Sequence, residues 1–380
     1  MPKTKTREKH QKPSIIDCDI HNTLASETVL YPYLSERWRK HHGMVGTTDR
    51  VGAYIPRAHP FGARYDAWTP SGHRPGSDLD FLREQLLDAF NIEYGILNCL
   101  TPVCEMPNLA YAAAWATAVN DWQIEEWLEK DPRLRASMIV ACDDAEFTTA
   151  EINRLADHPG FVQILLLART MEPLGRRKYW KMYEAAVQHD LPIGIHFTGV
   201  GVGPITAVGR PSHYIEDHAG MTQAFQTQVT SLVCEGVFEQ FPTLKVALIE
   251  GGFAWLPPLM WRLDRSWKKL RDEVPELKRL PSEYIREHFW ITTQPIEEPP
   301  KQEYFDQLLA QLSLDDKLMF ATDYPHWDFD SPDQALPKNL SPTLKRKIMA
   351  ENARAFYGFY SKAHNYLNTS NRSNSHLIPP

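Results

Sequence analysis

The stretch FVQILLLARTMEPLGRRKYWKMYEAAVQHDLPIGIHF, residues 161–197, contains the pattern that decides the fold. It begins with an apolar run (161–167), continues through a segment of helical periodicity (177–190) and ends in a second apolar run (192–197). This order is typical of parallel strands that are joined by a crossover helix. The first run is almost continuously apolar, as expected for a strand that is covered on both faces.

The same alternation recurs along the whole chain. Apolar runs cover 14–20, 94–99, 134–142, 161–167, 192–197, 244–250, 288–293 and 317–322. Helices are predicted over 78–90, 107–130, 144–157, 177–190, 221–240, 253–273, 301–312 and 343–357. Eight strands alternating with eight helices predict an α/β fold, namely a closed (β/α)₈ TIM barrel. A doubly wound open sheet is the alternative, but no glycine-rich phosphate loop follows the first run.

The predicted barrel domain covers 14–360 and carries one long insertion. Residues from about 22 to 78 separate the first run from its helix, and we expect them to form an ordered lid over the barrel mouth. Residues 1–13 are expected to be a flexible basic N-terminus. The polar tail, 361–380, is either disordered or an arm on a neighbouring subunit, and we expect a homo-oligomer, in the form of a dimer.

Composition excludes several classes of partner. The chain has 48 acidic and 41 basic residues among 380, so it offers no broad cationic surface to nucleic acid or to an anionic membrane. A small-molecule substrate is therefore expected. No run approaches the roughly 20 apolar residues of a membrane helix, which predicts a cytoplasmic protein. The five scattered cysteines include no CxxC pair and are expected to be reduced packing residues.

Histidines and carboxylates end four of the apolar runs. They are Asp17, Asp19, His21, His196, Glu250 and Asp323. Chemistry on such barrels takes place at the carboxyl ends of the strands, so these side chains are predicted to share one pocket. Carboxylates that are buried together repel one another, and a divalent cation is the simplest partner that removes the repulsion. The set Asp19, His21, His196 and Asp323 suits zinc, manganese or iron, with one position left for water.

At these positions the sequence resembles the amidohydrolase superfamily, in the branch of aminocarboxymuconate semialdehyde decarboxylase. The matching segments are IIDCDIHN (15–22), GIHFTG (194–199), FPTLKVALIEGGFAWLPPLMWRLDR (241–265) and MFATDYPHWD (319–328). The resemblance extends from about residue 15 to 357 at the level of motif order. It implies that the metal ligands of the family fall on Asp19, His21, His196 and Asp323.

Three departures from the family pattern affect what the resemblance implies. Asp19 stands where many relatives have histidine and some decarboxylases have glutamate, so the identity of the metal is open. Glu250 stands where the decarboxylases usually carry a catalytic histidine. The fourth run, 161–167, lacks the lysine that bridges two metals in binuclear relatives. We therefore expect one divalent metal ion, zinc, with manganese or iron as alternatives.

Because of Glu250, we expect a metal-dependent hydrolase that acts on a small organic acid, amide, lactone or ring-cleavage product. In that reaction Asp323 would take a proton from a metal-activated water, and Glu250 or His218 would protonate the leaving group. The alternative is a non-oxidative decarboxylase of an aromatic or unsaturated acid, in which Asp323 delivers a proton to carbon. A second alternative is a metal-free binding or assembly protein.

Further polar residues have expected supporting roles. His213 or His218 could supply the acid or base missing at Glu250, although each could equally be a solvent-exposed histidine. Asp17 is expected to orient His21 through its other ring nitrogen, and His326 has a similar expected role beside the site.

Arginines of the insertion are the candidates for substrate recognition. Arg57 and Arg64, with Arg74 nearby, are expected to bind a substrate carboxylate through paired hydrogen bonds. Solvated surface charge is the alternative for each of them.

Overall fold

The structure is a computed structural model that describes residues 14–47, 59–198 and 206–359. The strands are β1 (Ile15–Ile20), β2 (Ile92–Leu97), β3 (Leu134–Ile139), β4 (Phe161–Leu167), β5 (Ile193–His196), β6 (Val246–Ile249), β7 (Phe289–Thr292) and β8 (Leu318–Met319). Each strand pairs in parallel with the next one along the chain, from β1 to β8.

Hydrogen bonds between β1 and the segment after β8 close the sheet into a barrel. The Cys18 amide donates to the Phe320 carbonyl over 2.9 Å, and the Asp323 amide donates to the Asp19 carbonyl over 3.1 Å. The predicted (β/α)₈ barrel is therefore confirmed. The regular part of β8 is shorter than predicted because the Thr322 amide donates to the side chain of Asp17 instead of to a neighbouring strand.

Helices surround the barrel. They are α1 (Glu36–Val45), α2 (Leu79–Leu82), α3 (Leu109–Gln123), α4 (Ala145–Leu155), α5 (Trp180–Gln188), α6 (Tyr214–Ala219), α7 (Thr222–Cys234), α8 (Val237–Gln240), α9 (Leu256–Leu270), α10 (Pro281–His288), α11 (Gln302–Leu312), α12 (Pro342–Arg346) and α13 (Asn352–Tyr357). The helix predicted over 221–240 is split into α7 and α8 at Gly236, whose φ of 74° lies in the left-handed region. The sequence pattern missed α10, whose last residue, His288, had been assigned to the seventh strand.

Side-chain caps fix where several helices begin. Asp144 accepts hydrogen bonds from the amides of Glu146 and Phe147 at the start of α4. Asp78 and Asn108 cap α2 and α3 in the same way. These caps satisfy amide groups that have no partner within the helix, and so fix the residue at which each helix begins.

The two ends of the barrel differ in polarity. At the amino end, α13 packs Ala353 and Phe356 against Ile16 of β1, Ala247 of β6 and Met319 of β8. Polar side chains gather instead at the carboxyl end, where the strands lead into their loops. Among the described residues, no helix combines the length and apolar character needed to cross a bilayer.

Part of the insertion after β1 lies against the carboxyl end of the barrel. Ala63 bridges to His326, and the Trp327 amide donates to the Gly62 carbonyl over 2.8 Å. Gly76, with a φ of 75°, approaches the backbone oxygen of His21 so closely that a Cβ atom would overlap it. The boundaries of the lid and of the barrel domain stay predictions, and both chain termini, 1–13 and 360–380, lie outside the described residues.

Candidate metal centre

The structure brings the four predicted ligands together at the carboxyl end of the barrel. Asp19 belongs to β1, and His21 is the first residue after that strand. His196 is the last residue of β5, and Asp323 lies after β8. One potential ligand atom from each of the four lies within 4.8 Å of all the others, and all four side chains are buried. Three separate strands therefore place two imidazoles and two carboxylates around a single point.

The imidazoles face the carboxylates through their Nε2 atoms. His21 Nε2 lies 2.8 Å from Asp323 Oδ1 and 3.5 Å from Asp19 Oδ1. His196 Nε2 lies 3.1 Å from Asp19 Oδ2. Carboxylate oxygens and Nε2 atoms thus converge, as they do around a shared cation.

Backbone carbonyls hold both rings through their other nitrogen. His21 Nδ1 lies 2.8 Å from the Asn98 carbonyl oxygen, and His196 Nδ1 lies 2.6 Å from that of Phe197. A carbonyl oxygen can only accept, so Nδ1 carries the hydrogen in each ring, and in a neutral ring Nε2 keeps its lone pair for a metal. The prediction that Asp17 orients His21 is wrong, because Asp17 accepts hydrogen bonds from Thr322 instead, at 3.0 Å from its amide and 2.6 Å from its hydroxyl.

The charges at the centre fit a divalent metal. No described lysine or arginine forms an ion pair with Asp19, Asp323 or Glu250, so the nearby imidazoles are the available counter-charges. Although burial opposes it, Asp19 and Asp323 raise the pKa of His21 to about 9. Burial by itself would raise the pKa of Asp323, but His326 and His21 hold it well below its usual range. A cation that binds here would replace imidazole protons, as metals do at histidine ligands.

Glu250 also lies in the centre. It follows β6 directly with a left-handed φ of 60°, and its Oε2 lies 3.6 Å from His196 Nε2. Burial raises its pKa well above the ordinary value, and the negative charges of Asp323 and Asp328 add to the effect. Glu250 therefore lies beside the four ligand candidates in surroundings that favour its protonated form.

The histidines near the centre occupy three different positions. His326 Nδ1 lies 2.6 Å from Asp323 Oδ1, and its ring stacks on His21 at 4.4 Å. His218 pairs with Asp328 at 3.0 Å. His213 is exposed and pairs with Glu216 at 2.7 Å.

A glutamine connects His218 to the centre. The Gln294 amide lies within 3.2 Å of both Asp323 Oδ2 and Asp328 Oδ2, so a chain of hydrogen bonds links His218 to Asp323 through Asp328 and Gln294.

The two described arginines that were predicted to recognise substrate, Arg64 and Arg74, have other partners in the structure. The Arg64 guanidinium donates to Asp66 over 2.9 and 2.5 Å and lies over the ring of Phe329. Arg74 lies over the ring of Phe61. Arg57 lies outside the described residues. A role of Arg57 or Arg64 in substrate binding stays a prediction.

Two amides at the centre were missed from the sequence. Asn98 follows β2, and its side chain donates to Asp19 Oδ1 over 2.7 Å. Gln294 follows β7 and contacts Asp323. Both stand at carboxyl ends of predicted strands, so the criterion that found the ligands would have found them too, had it included amides as well as acids and histidines.

A parallel barrel with imidazoles and carboxylates converging at its carboxyl end defines a class of enzymes that is built around a bound metal. Consistent with this, the chain belongs to the Amidohydro_2 family (Amidohydrolase), whose model matches residues 16–359. It is an enzyme of the amidohydrolase superfamily, as the sequence motifs predicted.

Known relatives of the chain are decarboxylases. Gamma-resorcylate decarboxylase from Rhizobium sp. (strain MTP-10005) is 27% identical in an alignment of 316 positions that covers 77% of this chain and 90% of that protein. The dihydroxybenzoic acid decarboxylase of Polaromonas sp. JS666, solved with manganese and 2-nitroresorcinol, has a TM-score of 0.65 at 20% identity, covering 93% of this chain and 99% of its own. The 5-carboxyvanillate decarboxylase of Novosphingobium aromaticivorans, solved with manganese, has a TM-score of 0.66 at 20% identity, covering 92% and 97%.

These relatives correct the expected reaction. The prediction of a hydrolase is wrong, because the two gamma-resorcylate decarboxylases that align with this chain over 90% of their own length are decarboxylases of an aromatic acid, which was the stated alternative. The error came from one position. Glu250, in place of the usual histidine, was taken as evidence against decarboxylation, whereas the structure shows it as a buried acid next to His196 and beside the four ligand candidates.

Proposed function

We propose that this chain is a metal-dependent, non-oxidative decarboxylase of a hydroxylated aromatic acid. The observation that carries the proposal is the buried convergence of Asp19, His21, His196 and Asp323 in a chain that aligns with 90% of a gamma-resorcylate decarboxylase. The cluster supplies the site, and the relative supplies the class of reaction.

The four ligand candidates would hold one divalent ion. Two carboxylates make the set harder than an all-histidine site and therefore suit manganese, the ion bound in two related structures. Zinc and iron are the alternatives that metal analysis decides. When bound, the ion supplies positive charge that orients the substrate carboxylate.

Asp323 is the proposed proton donor. Its carboxylate takes a proton from the imidazole of His326, whose Nδ1 lies 2.6 Å from Asp323 Oδ1, and passes it to the ring carbon that bears the substrate carboxylate. The bond between the two carbons then breaks, its electron pair restores the aromatic ring, and carbon dioxide leaves. The contacts of Asp323 with His21, His326 and Gln294 hold both of its oxygens in place for this transfer.

Glu250 and His218 have supporting roles in the proposal. Burial raises the pKa of Glu250 and so favours its neutral form, which adds no negative charge beside an anionic substrate. His218 holds Asp328, which shares the Gln294 amide with Asp323. This arrangement makes His218 a positioning residue for the proton donor.

Aromatic side chains beside the centre fit a ring-shaped substrate. Trp327 is 38% exposed, and its ring lies 5.3 Å from His218 and 5.6 Å from His59. Its indole N–H donates to the Tyr214 hydroxyl over 2.9 Å. Stacking against such faces favours flat aromatic molecules. Recognition of their polar groups by Arg64, and a dimeric assembly, remain parts of the proposal.

The test is incubation of the manganese-loaded protein with 2,6-dihydroxybenzoate and 5-carboxyvanillate in heavy water. We expect release of carbon dioxide, with one solvent deuterium on the carbon that lost it. The His196→Ala variant, which lacks one of the two imidazole ligands, is the matched control and should be inactive. The proposal fails if neither acid, nor any other member of a hydroxybenzoate panel, is decarboxylated by fully loaded wild type.

A further inference from the structure

We infer that Asn98 is a positioning residue that sets the metal affinity of the centre, because it holds two of the four ligands at once. Its backbone carbonyl accepts from His21 Nδ1 over 2.8 Å, and its side-chain amide donates to Asp19 Oδ1 over 2.7 Å. Asn98, at the carboxyl end of β2, thereby holds both ligand candidates at the carboxyl end of β1, Asp19 and His21. The inference rests on the proposed metal site and goes beyond it to a residue that binds no metal.

The orientation of the Asn98 amide is determined by its surroundings. Its oxygen accepts from the Ser137 hydroxyl and from the Gln163 amide, the latter over 3.2 Å. Its nitrogen donates to Asp19 and to the Cys18 carbonyl. A flipped amide would turn its NH₂ group toward two donors and its oxygen toward a carboxylate, so only the observed orientation satisfies every group.

A column of hydrogen bonds supports this orientation through the barrel interior. The Gln163 amide also donates to Ser137 Oγ over 2.7 Å, and the Tyr357 hydroxyl of α13 donates to Gln163 Oε1 over 3.2 Å. Asn98, Ser137 and Gln163 have no solvent exposure. Buried polar groups of this kind are costly when unpaired, so the column allows a single arrangement.

The amide has a specific effect on the ligand that it contacts. Donation to Oδ1 fixes the rotation of the Asp19 side chain, so that Oδ2 remains directed toward His196. Without the donor, Asp19 can rotate, and part of the binding energy must be spent on ordering it. Residues that hold metal ligands in this way typically change metal affinity by about 10- to 100-fold when they are replaced.

The test compares Asn98→Ala with Asn120→Ala. Asn120 is equally buried, and its amide also donates two hydrogen bonds, to the Ile139 carbonyl and to Glu151, neither of which is a ligand candidate. Manganese affinity is measured by competition with a chelator, and thermal unfolding is measured on the metal-free proteins. We expect Asn98→Ala to bind manganese about 10- to 100-fold more weakly. Asn120→Ala should bind like wild type, although both variants lose stability.

Equal manganese affinity of Asn98→Ala and wild type would overturn the inference while leaving the proposed function intact. An equal loss in Asn120→Ala would also overturn it, because the effect would then be one of general stability. If wild type itself binds no manganese, zinc or iron, the inference and the metal-dependent function both fail. Normal metal binding without decarboxylation overturns the function alone. If Asn98→Ala does not fold, Asn98→Ser replaces it, since its hydroxyl is too short to reach Asp19 as the amide does.

Discussion

Buried carboxylates occur at both ends of this barrel, and their partners differ. At the amino end, Asp131 is 3% exposed and lies just before β3. It accepts from Arg83 Nε over 2.9 Å and from Arg133 NH2 over 2.8 Å. At the carboxyl end, Asp19 and Asp323 are fully buried and face imidazoles, with no arginine or lysine paired to them among the described residues.

This difference separates a structural cluster from a binding site. Two guanidinium groups neutralise Asp131 permanently, because arginine does not lose its proton at physiological pH. Imidazoles can give up their protons, so the charge at the other end is available to an incoming cation. Burial alone would not have distinguished the two ends, whereas the type of counter-charge does.

The largest expected effect is the response to metal removal. Chelation should abolish decarboxylation, and stoichiometric manganese should restore it, with one ion per chain by elemental analysis. The metal binds only the folded chain, so saturation at 100 times the dissociation constant should add about 2.7 kcal/mol to the free energy of unfolding. Activity that persists after the metal is shown to be absent would contradict the interpretation of the carboxyl end of the barrel as a cation-binding site.

Asp323→Asn should have the next largest effect. Asparagine keeps the size of the side chain and one oxygen for the metal, but it cannot deliver the proton to the ring carbon. We expect turnover to fall by roughly 100-fold or more while metal content and circular dichroism stay close to wild type. Near-normal turnover of the metal-loaded variant would assign the proton transfer to another group.

The amount that could be predicted from the sequence differs between the ends. The ligands were found because a parallel barrel brings the carboxyl ends of its strands together, so Asp19, His196 and Asp323 needed only a correct count of strands. Asp131 gave no comparable signal, since one partner, Arg133, lies two residues away, but the other, Arg83, lies 48 residues away and follows α2, so that pairing depends on how α2 packs. The reaction type was predicted wrongly because chemistry depends on the whole environment of Glu250, which one residue identity does not reveal.

Asp131→Asn should destabilise the protein without changing its metal site. Removing one partner from a fully buried ion pair costs about 3–5 kcal/mol, and we expect roughly 1–3 kcal/mol here because both arginines are partly exposed and have other carboxylate partners. Asp88→Asn is the matched control: it removes an exposed partner of Arg133, which should cost less than about 1 kcal/mol. Chemical denaturation measures both variants, and equal losses would contradict the assignment.

The pH dependence of this effect has a definite sign. Although burial opposes it, the hydrogen bonds from Arg133 and Arg83 hold the pKa of Asp131 well below its usual range. A carboxyl whose pKa is lowered by folding contributes stability above its unfolded pKa, which is about 3.9, and loses that contribution as the pH falls. The difference between wild type and Asp131→Asn should therefore shrink below about pH 4.

Glu250→Gln should have the smallest effect on stability. Unlike Asp131→Asn, it should stabilise the metal-free protein. Burial raises the pKa of Glu250 well above its ordinary value, and Asp323 and Asp328 raise it further. The unfolded chain therefore loses this proton first as the pH rises above about 4.3, and folding becomes less favourable with increasing pH. Glutamine is neutral in both states and removes this penalty.

The variant should consequently match metal-free wild type in melting temperature near pH 4 and exceed it by about 1–3 °C near pH 8. Asp131→Asn, measured in the same buffers, should lie below wild type near pH 8, so that two substitutions of one chemical type shift stability in opposite directions at opposite ends of one barrel. A decrease for Glu250→Gln at pH 8 would show that Glu250 is stabilised as a carboxylate in the absence of metal. The carboxylates at the carboxyl end of the barrel would then resemble Asp131, whose charge is balanced by protein groups, and would not indicate a cation site.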